Sequence, residues 1–196
     1  MQASASRLAR RVFLSAFSMA VLVTPAWAET AAAPKVVFQT TLGEFVVEVY
    51  PDKAPKTVEN FLRYVKDKQY DGTIFHRVIP NFMVQGGGYN TKLEEKIVRP
   101  PVLLEAQNGL KHEMGTVAMA RTNEPNSARA QFFVNVKENP FLNAKGPSDG
   151  YTVFGRVVSG METIEKIKNV PTGASGPFPT DVPKTPVLIN SATLVK

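Results

Sequence analysis

The hydrophobic pattern predicts an all-β-dominated domain: a closed antiparallel barrel whose open ends are capped by two α-helices. Three observations lead there. Most apolar residues fall in short alternating runs, the mark of half-buried strands. Only two stretches change to helical spacing. The chain has 196 residues, 43% hydrophobic and 20% charged, which suits one ordinary globular domain behind a leader, and no internal repeat interrupts it.

In chain order, Val36–Phe38 and Phe45–Tyr50 flank Thr41-Leu42-Gly43 and read as a hairpin, with Phe45, Val47 and Val49 on one face. From Pro55 to about Lys66, Val58, Phe61, Leu62 and Val65 recur at i, i+3, i+4 and i+7, which predicts a helix opened by Pro55. Short strands are expected at 74–79, 82–85, 116–121, 131–136 and 152–158. A second helix is expected over 161–168 with Met161, Ile164 and Ile167 inward, and a last strand near 187–195. Residues 92–114 and 173–184 carry several Pro and Gly and read as irregular wrapping segments. Phe38, Phe45, Phe61 and Phe133 are expected to fill the barrel.

The N-terminus reads as a cleaved secretory signal, 1–28. Arg7, Arg10 and Arg11 precede a twelve-residue apolar run, Val12–Val23, and Ala26-Trp27-Ala28 forms a small-x-small cleavage site. The run is shorter than the roughly 20 residues that span a bilayer, and no other stretch reaches that length. A mature chain from Glu29, a tether over 29–34 and a folded domain over 35–196 are therefore expected, delivered to the bacterial periplasm. Arg10-Arg11 resembles a twin-arginine signal in part, but with no cofactor implied, ordinary export of the unfolded chain is expected. Without the three leader arginines the 23 basic residues become 20 against 17 acidic ones. That balance, with no basic run, argues against nucleic acid. The chain has no cysteine.

The densest chemistry lies in Phe75–Gly87, FHRVIPNFMVQGG, two alternating runs about a Pro80-Asn81 turn. Alternation puts Phe75, Arg77 and Ile79 on one face of the first run. It puts Met83 and Gln85 on one face of the second, with Phe82 and Val84 opposite. A guanidinium and an amide beside apolar surface suit an uncharged, polarisable group such as the peptide bond before a proline. His76 reads as a hydrogen-bonded structural histidine and His112 as a surface loop residue; neither has a partner at zinc spacing. Gly86-Gly87-Gly88 lacks the rest of a phosphate loop and reads as a flexible turn, and Glu94-Glu95 as solvated. There is no Gly-x-Ser-x-Gly turn. No metal or cofactor is implied.

This stretch resembles the signature of the cyclophilins, the peptidyl-prolyl cis-trans isomerases. Two more blocks follow in that family's order: Gly115–Arg121 with Ser127 and Gln131–Val134, then Phe141-Leu142 and Tyr151–Val157. The resemblance runs from about Lys35 to the C-terminus. It implies an eight-stranded barrel and an enzyme that isomerises X-Pro bonds, here assisting the folding of exported proteins. It implies Arg77 as the catalytic residue and Phe82, Met83, Phe133 and Leu142 as the proline pocket. Gln85 and Gln131 would hold Arg77 and the peptide, and backbone near Arg121 would pair with substrate. The partners expected are proline-containing segments of unfolded exported proteins, met by a monomer. Phe141 stands where many members carry tryptophan, and Tyr151, after a longer lead-in, where many carry histidine. Both features resemble the bacterial periplasmic branch and imply weak cyclosporin binding. Two other functions fit the residues less well: a module that captures Pro-containing segments without turnover, and a barrel holding a small apolar ligand.

Overall fold

Every strand predicted from alternation is present. The computed structural model describes residues 32–195; the expected signal segment and residues 29–31 of the tether lie outside them. The strands are β1 (Lys35–Thr40), β2 (Gly43–Val49), β3 (Thr73–Ile79), β4 (Met83–Asn90), β5 (Thr116–Met119), β6 (Phe132–Asn135), β7 (Val153–Ser159), β8 (Thr172–Ser175), β9 (Phe178–Pro183) and β10 (Leu188–Leu194). The helices are α1 (Pro55–Lys66) and α2 (Met161–Lys168). Eight strands close a barrel in the order β1-β10-β3-β4-β6-β5-β7-β2, each neighbouring pair antiparallel.

The interior is packed with rings. Phe38 stacks on Phe45 at 4.9 Å, and Phe61 reaches in from α1 to lie 4.9 Å from Phe154. Tyr70, Phe75 and Phe132 complete the cluster, all fully buried. Filled in this way, the barrel has side chains where a central ligand would sit, so the apolar-carrier reading falls. One expected filler is misplaced: Phe133 faces outward, and its neighbour Phe132 fills the core. Two adjacent phenylalanines on a strand must point to opposite faces, and the β6 pairings decide which.

Tertiary contacts also complete α1. Its first residues find no cap of their own; the Glu105 carboxylate accepts hydrogen bonds from Lys56 N and Thr57 N at 3.0 and 2.9 Å. The acceptor arrives from the 92–114 segment, whose charge near the helix N-terminus is also favourable. That segment is largely irregular, as expected. Residues 173–184 are not: β8 and β9 form a separate two-stranded hairpin. Proline suppresses a strand reading, yet edge strands tolerate it, and Pro179 and Pro183 lie in one here.

Candidate active site

The site is built where β3 loses its alternation. Phe75 pairs with Gly86 and Arg77 with Gln85, so His76 is an extra residue in β3. Such a bulge flips the faces beyond it. Phe75 and Val78 are therefore in the barrel core, whereas Arg77 points outward, contrary to the shared face that simple alternation predicts. Ile79 then faces the same outer cluster as Met83. Phe82 also departs from expectation. Its N–H donates to Ile79 O at 3.0 Å, closing the Pro80-Asn81 turn, and its ring joins Met83 rather than following Val84 into the core.

These shifts converge on one surface pocket of about 570 Å³ lined by Arg77, Phe82, Met83, Gln85, Ala120, Arg121, Phe133, Phe141, Leu142 and Tyr151. Met83, Phe133 and Leu142 form a buried apolar floor. Phe141 is 65% exposed and stacks on Phe82 at 5.5 Å, making one wall. Tyr151 meets Phe133 edge-on at 5.8 Å, making another. The Arg121 guanidinium lies 4.8 Å above the Tyr151 ring and donates through Nε to Gly150 O at 2.8 Å. Arg77 stands at the lip, its side chain 45% exposed, with Nε 3.9 Å from an Asp181 carboxylate oxygen. A second cavity of about 580 Å³ between α1 and β10 gathers none of these groups; Leu62, Val65 and Leu194 line it among scattered charges.

Gln131 is the one expected site residue outside the pocket lining. It sits in the adjoining groove with Gln85 and Arg121, and its Oε1 accepts from Gln85 Nε2 at 2.9 Å. Thus Gln131 fixes Gln85, the cross-strand partner of Arg77. The glycine run makes this possible. It is not a turn but the middle of β4, with Gly87 at φ +83°. A Cβ on Gly88 would lie 2.5 Å from Gln131 Cγ, so only a bare backbone lets that side chain cross.

Behind the floor is a buried polar network. His112 is buried, not exposed on a loop, and its ring stacks on Phe133 at 5.8 Å. Asn135 Nδ2 donates to His112 Nδ1 at 3.1 Å, so Nε2 carries the proton and donates to Tyr151 O at 3.1 Å. Asn139 Nδ2 donates to Asn135 Oδ1 and to Phe82 O, at 2.7 and 2.9 Å. One network therefore ties the Phe82, Phe133 and Tyr151 segments together. Burial holds the His112 pKa down at about 4. His76 is likewise buried with its pKa lowered to about 4, first by burial and then by the Arg77 charge. Among the described residues its Nδ1 finds no hydrogen-bond partner; the ring packs on Tyr89 and Phe178 at 4.7 and 5.6 Å. Its structural role rests on that ring packing, with no hydrogen bond at Nδ1.

Residues 35–194 match a family model described as cyclophilin type peptidyl-prolyl cis-trans isomerase/CLD. The chain belongs to this family. It is similar to a peptidyl-prolyl cis-trans isomerase of Acinetobacter baylyi, 50% identical over 167 residues, 85% of this chain and 88% of that protein. It is also similar to peptidyl-prolyl cis-trans isomerase B of Escherichia coli, 51% identical over 162 residues, 81% of this chain and 98% of that protein. Among solved structures, a Cryptosporidium parvum cyclophilin studied in the presence of the dipeptide Ala-Pro superposes with a TM-score of 0.67. It is 26% identical, over 83% of this chain and 99% of that one. This cyclophilin is thus a peptidyl-prolyl cis-trans isomerase with an eight-stranded barrel. Sequence reasoning missed His112, Asn135, Asn139 and Asp181 near its site. Only Asn135 left a signal, as a polar residue inside the apolar run FFVNV.

Proposed function

We propose that Arg77 is the transition-state donor of this isomerase and that Phe82, Met83, Phe133 and Leu142 seat the proline ring. The observation that carries this reading is a half-exposed guanidinium at the lip of a pocket whose floor is wholly apolar. Amide resonance sets a barrier of about 18–20 kcal/mol to X-Pro rotation. Midway through rotation that resonance is lost and the prolyl nitrogen carries a localised lone pair. A guanidinium N–H donates to the lone pair then and not to the planar ground states, and such differential binding lowers the barrier. Phe141 and Tyr151 flank the ring, Gln85 and Gln131 brace the arginine and the peptide, and the backbone at Arg121, just past β5, pairs with an extended substrate.

The substrates in this reading are proline-containing segments of exported proteins, and the enzyme is a periplasmic monomer that assists their folding. Support comes from the basic start, apolar run and Ala-Trp-Ala site at the N-terminus. Cyclosporin binding is weak because Phe141 lacks an indole N–H. The deciding experiment is Arg77→Ala, followed by exchange spectroscopy on an X-Pro peptide and by a melting curve. Turnover falls by roughly 10²–10³-fold while the fold persists, since an exposed ion pair contributes only about 0–1 kcal/mol. Arg77→Lys is also poor, because a flexible ammonium cannot replace the planar fork. A folded Arg77→Ala protein with wild-type turnover defeats the mechanism.

A further inference from the structure

The β8–β9 hairpin brings an acid to the edge of the site. Asp181 Oδ2 lies 3.9 Å from Arg77 Nε. Three features make this placement specific. Between Ser175↔Phe178 and Gly173↔Val182, β9 has more residues than β8, so Asp181 falls in a bulge, a device that re-aims a side chain. Asp181 also holds φ at +68°, left-handed backbone that a non-glycine residue adopts only at a cost. Finally, the hairpin is anchored beside the arginine. Phe178 packs on His76 and Tyr89 at 5.6 and 5.2 Å, and His76 immediately precedes Arg77.

We propose that Asp181 is a positioning residue for the isomerase reaction: it holds Arg77 by the Nε side of the guanidinium and keeps the two Nη groups turned to the pocket. The proposal rests on reading Arg77 as the transition-state donor. An arginine on a strand has several freely rotating bonds, and at 45% exposure packing alone does not restrain it. Gln85, fixed by Gln131, borders Arg77 on the β4 side; Asp181 borders it on the hairpin side. The fork is planar, so an attraction at Nε sets the direction in which both Nη groups point.

The test compares Asp181→Asn and Asp181→Gly, both of which tolerate left-handed backbone, with the wild type and with Arg77→Ala. Steady-state kcat and KM on an X-Pro peptide, melting curves and a salt series are measured on the mature chain. Each Asp181 variant loses about two- to five-fold in kcat at low salt, the scale of one half-exposed ion pair, with KM and melting temperature little changed. Near about 1 M salt the wild type falls toward the variants, which themselves stay level, because the attraction is screened. In the Arg77→Ala background Asp181→Asn costs nothing more. The proposal is overturned by wild-type kcat in both variants, by an equal loss without Arg77, or by losses that track a lowered melting temperature. Near wild-type turnover in Arg77→Ala itself strikes the underlying reading of Arg77, and so is distinct from failure of the Asp181 proposal alone.

Discussion

Acidification from pH 7 to 5 destabilises this protein through its two histidines, and the size of the effect follows from their burial. Both hold folded pKa values of about 4, against about 6.5 in the unfolded chain. The unfolded state therefore binds more protons between those values, and stability rises with pH across the window. The contribution is complete above about pH 6.5 and is lost as pH falls toward 4. At pH 5 each histidine has forfeited about 2 kcal/mol by this linkage, so the pair lowers the melting temperature by roughly 10 °C. Protonating His112 also turns its Nδ1 into a donor facing the Asn135 amide, which breaks that hydrogen bond. The assay is denaturant unfolding at half-unit steps from pH 7 to 5, above the range where ordinary carboxylates titrate. His76→Phe separates the two groups, because among the described residues Nδ1 of His76 has no hydrogen bond to lose and an aromatic ring still packs on Tyr89 and Phe178. That variant halves the slope. A flat profile in the wild type, or an undiminished slope in His76→Phe, refutes the linkage.

Two further outcomes are expected. Phe141→Trp tightens cyclosporin binding by the scale of one neutral hydrogen bond, about 0.5–1.5 kcal/mol; calorimetric titration of both proteins checks it, and equal affinities contradict the role given to this wall. Intact-mass measurement of periplasmic material yields a chain beginning at Glu29; a mass that includes residues 1–28 rules out cleavage there.

Much of the fold is legible in the linear pattern because strand and helix periods depend on local geometry alone. The alternation in Phe45–Val49 and the spacing of Val58, Phe61 and Val65 each specify an element before any neighbour is known. The pocket residues are legible as well, through three ordered motifs resembling one family, and all of them except Gln131 line one cavity. What alternation cannot supply is phase. The extra residue at His76 turns Arg77 from the face of Phe75 to the outer surface, and pairing with Gly86 and Gln85 creates it. Likewise, only the partners of β6 decide that Phe132 fills the core while Phe133 floors the pocket.

Contacts between residues distant in sequence decided the rest. Glu105 caps a helix some fifty residues before it, at Lys56 and Thr57. His112 looks like a polar loop residue until Asn135 and the Tyr151 carbonyl satisfy both its ring nitrogens, which makes its burial affordable. Asp181 reaches Arg77 because a hairpin rich in Pro and Gly folds back over β3. Periodicity records which way a side chain leaves its own backbone; hydrogen-bond satisfaction and charge pairing depend on what meets it there, and that is set only when the barrel closes.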